Sequence, residues 1–514
     1  MWSSLSMKTI NRIGIKIGAI AVIAWGIALR AVEVLNGNYL FGFDQGRDYL
    51  AAYNIAVNHK LTLIGAEVGA GFAGLNGLFH GSGYYYILSV MHFLFHGDPY
   101  GGLLLMFIFG TAALVLTYFF TKNALGNATA IISTFLVAIS PLLAPQSRFI
   151  LNHHPTTFFI IIFFFFMYRI NKRPRVYAPL AVFTACFIYH FELAIAVPLA
   201  IAACLSFPFI FHIKDIKTYI YCFIALIVAL SPLFLFEIRH GWMAFRSFWT
   251  YIIGGSLQLP VAQTAGHLKA FLYNAVNSFP TEKTFLPEGA YIALVYFLIA
   301  FLMYLSFHAK PALHKKFFRF LLLTLAVSYG VLFFLRNDIW DYYLIHAHIV
   351  YIFIFAYAAT FFWKNKRKSF SNASVFIVLS VYFVAMTIST TQRMIINYTY
   401  DYHDLGGIEK IKGKKIAIDH IYKDANGRPF SAFIFVPAIY TYPYDYLFLT
   451  YAKEKYGYAP GKNKIGLVYL IIEPDHRKPW TYKGWLETVI KDGNILNTQT
   501  LKTGHIIQKR MFPL

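Results

Sequence analysis

Tyr84-Tyr-Tyr-Ile-Leu-Ser-Val-Met-His92-Phe-Leu-Phe95 is apolar enough for a bilayer, yet it is only about a dozen residues long where a crossing helix needs roughly 20. Whether it crosses sets the side of everything that follows. Longer apolar runs lie at 13–32, 101–121, 128–146, 156–170, 177–191, 192–212, 217–237, 289–308, 317–335, 343–363 and 372–391. If 84–95 stays on one side, then Lys122, the cluster Arg169 to Arg175, Lys214 and Lys217, Lys310 to Arg319 and Lys364 to Lys368 all share the side of the N-terminus. If it crosses, the later basic loops flip outward against the positive-inside rule. The expectation is therefore about eleven spans, N-terminus cytoplasmic and C-terminus external, with 84–95 a juxtamembrane or re-entrant helix in a large first external loop, roughly 33–100. The run 177–212 is long for one span and short for two, and His190 and Glu192 sit near its middle.

Composition agrees. The 514 residues are 58% hydrophobic and 13% charged, with mean hydropathy +0.54, whereas soluble domains carry about 25% charge. The formal charge of +22 sits largely in short loops, where topology explains it, so nucleic acid is not an expected partner. Cys186, Cys204 and Cys222 lie in apolar runs without metal or redox spacing. The 13–32 run reads as an uncleaved first helix. A polytopic helical region, 1–394, with a second external loop at 238–288, is followed by a small extracytoplasmic α/β or α+β domain, 395–514. Strand-like runs there include 415–419, 430–436 and 465–472, separated by turn signals such as Asn426-Gly427 and Asp492-Gly493.

Ionisable groups at a bilayer surface cost free energy unless they are solvated, paired or used. On this topology Asp44, Arg47, Asp48, His80, Arg148, His190, Glu192, Glu237, Arg239, Arg336, Asp341 and His346 all fall at the external face. Carboxylates, imidazoles and guanidinia together suit acid/base chemistry on an anionic, membrane-embedded substrate. Asp44 opens a helical pattern, and the plain role for it is an N-cap. It also suits a general base. Arg148, in the short link before Asn152-His153-His154, reads as a snorkelling cation or as a bidentate phosphate contact. Adjacent histidines face apart on a helix, so a divalent metal at His153-His154 is the weaker reading and none is required. Glu237 and Arg239 close the seventh span as an interfacial pair or as pocket residues. Asp341 and His346, among aromatics, begin the tenth.

The first-loop acidic motif, Gly77-Leu-Phe-His80-Gly-Ser-Gly-Tyr-Tyr-Tyr86, Ser147-Arg148-Phe, Tyr189-His190-Phe-Glu192 and Phe236-Glu237-Ile-Arg239-His240-Gly241 together resemble the GT-C superfamily of membrane glycosyltransferases. Within it, they look most like relatives of the protein O-mannosyltransferases and the aminoarabinose transferase. The resemblance covers about 10–395 and implies transfer of a sugar from a polyprenyl-phosphate carrier to an acceptor on the outer face of the plasma membrane, usually with inversion. It implies that Asp44 is the base or the group that orients the acceptor, with Gln45 where relatives carry Glu and Asp48 compensating one turn later. It implies that Arg148 contacts the carrier phosphate, while Asn152 stands where many relatives have Asp. Arg239 as a second phosphate contact is a reading from position alone, as are the roles of Arg47, His80, His190, Glu192, Glu237, Asp341 and His346 in the pocket. Rival readings are a lipid-linked glycan polymerase or ligase, and a flippase or secondary transporter in which His190 and Glu192 relay protons. Transporters commonly show inverted repeats, and no repeat is visible here.

Overall fold

A computed structural model describes residues 2–68, 77–253, 261–282, 284–335, 338–404, 406–438, 440–475 and 477–513, with the side chains of 2–12, 251–253 and 261–263 excepted. Arg336 lies outside the described residues. α1 (Trp2–Arg30) leads into the short α2 (Val32–Asn36), α3 (Phe43–Ala56), a ribbon of β1 (Ile64–Glu67) and β2 (Phe79–Gly81), and α4 (Gly83–Leu94). Then come α5 (Tyr100–Leu125), α6 (Asn127–Ile139), α7 (Thr156–Arg169), α8 (Pro174–Phe187), α9 (Leu193–Ser206) and the pair α10 (Ile216–Ala229) and α11 (Ser231–Arg239). α12 (Met243–Ile253) and α13 (Val261–Val276) occupy the second loop. α14 (Glu288–His308), α15 (Ala312–Phe333), α16 (Ile345–Asn365) and α17 (Phe370–Ile396) complete a multi-pass helical bundle.

Each expected apolar run holds a helix, although the 128–146 run is α-helical only to Ile139. Among the described residues seven helices are long and apolar enough to cross a membrane, and α10 with α11, bent by 66°, would make an eighth. The expected eleven would also count α6, α7 and α8. The 84–95 run is the 12-residue α4, packed on α3 and α5. The 177–212 run resolves into α8 and α9, and Glu192 caps the second by accepting from the Ala194 amide (3.1 Å).

The basic loops gather at one end of the bundle, where Lys316 reaches Asn171 (3.5 Å) and Arg175 pairs with Asp215 (2.7 Å). At the opposite end lie α2–α4, the 140–155 link and the α8–α9 turn. Arg30, buried in the last turn of α1, donates to the Val137 and Ala138 carbonyls at 2.9 and 2.8 Å. It thereby satisfies and neutralises the C-terminus of α6.

Beyond α17 the chain forms α18 (Ile411–Ala425), β3 (Ser431–Phe435), α19 (Tyr442–Leu447), β4 (Leu467–Ile472), β5 (Asn494–Thr500) and β6 (Ile506–Met511). The sheet order is β3-β4-β6-β5, with β3 and β4 parallel and the other pairs antiparallel. The strand expected at 415–419 is instead part of α18. Ile411, Ala417, Ile418, Ile421, Tyr422 and Ala425 are buried at helical spacing, and that face outweighs the local alternation Ile-Ala-Ile. This region does not pack by itself. Tyr39, Phe41, Tyr49 and Ala52 share one core with Ile411, Ile418, Tyr444 and Tyr446, and the backbones pair where Phe41 N–H donates to Glu409 (3.0 Å) and Ile411 N–H to Tyr39 (2.9 Å).

Candidate active site

α3 starts at Phe43 with Gly42 as its cap, so Asp44 stands in the first turn and not at the capping position. Gln45 does the capping: its Oε1 accepts from the Gly42 amide (2.8 Å) while its Nε2 donates to the Ile150 carbonyl (2.6 Å). Gly46 lies flat on α19, where an added Cβ would come 2.3 Å from the Pro443 nitrogen. Arg47 bridges both carboxylates, at 2.8 Å to Asp44 and 2.8 Å to Asp48. The two acids differ sharply. The Asp44 side chain is 46% exposed and that of Asp48 is 1% exposed. Burial pushes the Asp48 carboxyl up to about 6 even with Arg47 beside it, and Tyr85 hydrogen-bonds the pair.

Around this turn the imidazoles are neutral. Burial and then Arg47 push His80 down to about 4. Burial, with His154 and His80 close by, holds His153 well below its ordinary value. His153 stacks on Tyr342, with ring centroids 4.2 Å apart and planes at 10°. Tyr342 in turn lies close enough to feel the charges of both Glu192 and Asp44. Burial pushes Glu192, outside both α8 and α9, up to about 8.

Two cavities open beside this group, on either side of Pro141 to Pro145. One, of about 460 Å³, is lined by Arg148, Asn277, Glu282, Asp341 and Arg393. The other, of about 370 Å³, is lined by Gln146, His153, Trp340, Asp341 and Tyr342. Asp341 borders both, held by Asn274 (3.2 Å) and Asn277 (3.2 Å).

Four other sequence candidates have fixed structural partners, and a fifth, Arg239, is exposed. Arg148 donates from Nε and Nη2 to Glu33 (2.6 Å each) and from Nη2 to Asp401 (2.9 Å), tying α2 to the end of α17. His190 accepts from the Gly83 amide (3.0 Å) and donates to Ala229 O (2.9 Å), a carbonyl at the α10–α11 bend. Its ring sits so close to Gly81 that a Cβ there would overlap it. Glu237 caps α12 through the Ala244 and Phe245 amides (3.1 Å each). His346 is buried in α16 against Ser328 of α15 (2.6 Å). Arg239 is exposed at the end of α11. These five are brought to the site's end of the bundle, but into its cavities only Arg148. Among the described residues no three His, Cys, Asp or Glu side chains converge as a metal site would need.

Sequence reasoning missed Arg393. It lines the larger cavity from the last turn of α17 and pairs with Glu282 at 3.0 Å, with both side chains more than half exposed. The signal was present: an arginine at the end of the bundle remote from the basic loops departs from the topology charges.

Residues 63–197 match the family model of dolichyl-phosphate-mannose-protein mannosyltransferase. The matched segment contains His80, Arg148, His190 and Glu192 and begins after Asp44. No curated protein matches the chain. Among solved structures it is similar to ArnT from Cupriavidus metallidurans bound to undecaprenyl phosphate, at 12% identity over 95% of this chain and 97% of that chain, TM-score 0.46. It is similar to the Archaeoglobus fulgidus oligosaccharyltransferase in complex with Zn and sulfate, at 14% identity over 95% of this chain and 72% of that chain, TM-score 0.46. It is also similar to the arabinofuranosyltransferase AftD from Mycobacteria, at 12% identity over 96% of this chain and 40% of that chain, TM-score 0.43.

Proposed function

We propose that this protein transfers a sugar from a polyprenyl-phosphate donor to a hydroxyl acceptor on the extracytoplasmic face of the plasma membrane, with inversion and with Asp44 as general base. One observation carries the reading: a solvent-reachable carboxylate, held by Arg47, stands at the same end of the bundle as an arginine-bearing cavity. The outer side is assigned because the basic loops collect at the opposite end.

The acceptor oxygen attacks the anomeric carbon, its proton passes to Asp44, and the anomeric carbon–oxygen bond to phosphate breaks. The carrier phosphate leaves with the electron pair, and a guanidinium offsets its charge. Arg148 is largely committed to Glu33 and Asp401, although its Nη1 keeps no protein partner among the described residues. Arg393 is freer, since an exposed pair such as Arg393–Glu282 contributes about 0–1 kcal/mol. The phosphate is therefore assigned to Arg393 with the open edge of Arg148. Asp48, buried, positions Arg47 and through it Asp44.

The test is Asp44→Asn in purified, reconstituted protein supplied with a panel of polyprenyl-phosphate sugars. The variant should fold, bind donor and lose about 10²–10⁴-fold in transfer. Transfer at the wild-type rate would remove Asp44 from the chemistry.

A further inference from the structure

We propose that the smaller cavity is the subsite for the donor's sugar ring, with Trp340, Tyr342 and His153 as an aromatic ledge and the Gln146 amide as its hydroxyl reader; this rests on the donor assignment above. Trp340 and Tyr342 lie nearly parallel, with centroids 6.4 Å apart and planes at 20°, and Tyr342 stacks on His153. The three rings thus form one near-parallel aromatic stack along one wall, whose most exposed member is Trp340. One face of a pyranose or furanose carries C–H bonds whose partial positive charge matches the negative face of an aromatic ring. Such a ledge favours a sugar over an extended lipid or a compact anion. Trp340 is 58% exposed, so the ledge is open to an incoming ring.

Gln146 supplies a second, independent pointer. It is 5% exposed and lines this cavity. Its Oε1 accepts from Thr157 Oγ1 at 2.7 Å, yet its buried Nε2 has no hydrogen-bond partner among the described residues. An unpaired buried N–H₂ is costly, by about the price of a lost hydrogen bond. A sugar hydroxyl would satisfy it. The cavity's 370 Å³ lies within the roughly 300–1,000 Å³ of small-molecule sites. Its position is also the required one. It shares Asp341 with the arginine-bearing cavity, where phosphate would lie.

The test compares binding of bare undecaprenyl phosphate with that of a panel of undecaprenyl-phosphate hexoses and pentoses to the full chain in nanodiscs. Wild type should bind at least one sugar-bearing carrier about tenfold more tightly than the bare carrier. Trp340→Ala should abolish that preference and leave bare-carrier affinity unchanged, whereas Trp340→Phe, which keeps a ring, should retain most of it. Gln146→Leu should flatten discrimination among the sugars. An undiminished preference in Trp340→Ala, or no sugar preference in wild type that binds the bare carrier, overturns the ledge while leaving the donor reading standing. Failure of wild type to bind any of the carriers overturns the donor reading and the ledge with it.

Discussion

Replacing Gly46 with alanine sets two opposed effects against each other, and the structure decides between them. In a helix interior, Gly→Ala ordinarily stabilises by about 0.5–1 kcal/mol, because glycine loses more backbone freedom on folding. At Gly46 the new methyl would lie 2.3 Å from the Pro443 nitrogen, 2.5 Å from the Tyr442 carbonyl carbon and 2.7 Å from Pro443 Cα. Ordinary contact begins at 3.4 Å, so α3 and α19 would have to separate by about 1 Å. All three atoms are backbone, and none can swing aside. Overpacking of this kind costs about 1–3 kcal/mol, and with no flexible neighbour the upper part of that range applies. The net expectation is a loss of about 2 kcal/mol, a fall in Tm of about 2 °C for a chain of this length. Because Asp44 is on the same helical turn, transfer should fall further than stability, by as much as about 10²-fold for a misplacement near 1 Å. Gly266→Ala is the control: it lies in α13 with nothing within 4 Å of an added Cβ, and it should be neutral or slightly stabilising. The readouts are thermal unfolding in detergent and donor-to-acceptor transfer for both variants. A Gly46→Ala protein at least as stable and as active as wild type would refute the claim that the C-terminal region sets the position of α3.

Two further outcomes follow from the charges. Arg393→Gln should weaken polyprenyl-phosphate donor binding by about 10–100-fold, the worth of a charge-assisted hydrogen bond, with unfolding unchanged because its pair with Glu282 is exposed; donor titrations that match wild type would return the phosphate to another cation. In the C-terminal region Glu473 is buried against the Lys414 ammonium, accepts from Tyr444 (2.6 Å) and faces His505 (3.7 Å). Glu473→Gln leaves a buried ammonium unpaired and should cost about 3–5 kcal/mol. Although burial alone would raise it, Lys414 and hydrogen bonds hold the Glu473 carboxyl below its ordinary 4.5. A depressed carboxylate lends stability above the unfolded value and loses it as pH falls through the folded one, so wild type should lose stability below about pH 4.5 and the variant should lack that step. Identical acid-unfolding curves for the two proteins would contradict this.

How much of this could be read from the chain depends on the range of the interaction. Run length and hydropathy are local, and every expected apolar run holds a helix, the 12-residue run at 84–95 included. Alternation over five residues misled at 415–419, because the burial that makes α18 a helix is visible only across its whole length, from Ile411 to Ala425. The polar outliers were detectable as outliers, but their partners were not. His190 and Glu192 are buried, and it takes Gly83 and Ala229, far apart in sequence, to show His190 as a brace. Arg148 likewise drew notice as a cation in an external link, whereas Glu33, one turn beyond a span, and Asp401, past the last one, hold it only in three dimensions. Trp340 and Gln146 carry no local sign at all. An aromatic ledge and an unpaired amide exist only once the 140–155 link and the residues before α16 are side by side.

The five residues from Asp44 to Asp48 show how a single turn distributes its side chains. Successive helical residues point about 100° apart, so one turn samples the full circle, and here almost every direction is already taken. Gln45 is 3% exposed against the 140–155 link, Gly46 lies on α19, and Asp48 is sealed beneath Tyr85. Arg47 is drawn sideways to both acids. Asp44 alone of the two carboxylates keeps nearly half its surface, so the motif exposes one acid and spends its neighbours on holding that acid still. The same geometry accounts for Gln45 where the resembling family carries Glu. This side chain must accept from the Gly42 amide and donate to the Ile150 carbonyl at once. A carboxylate only accepts, and beside a carbonyl at 2.6 Å it would repel. The amide is therefore what joins the helix bearing Asp44 to the link bearing Arg148, and in this chain that joint, rather than a second acid, is what position 45 contributes.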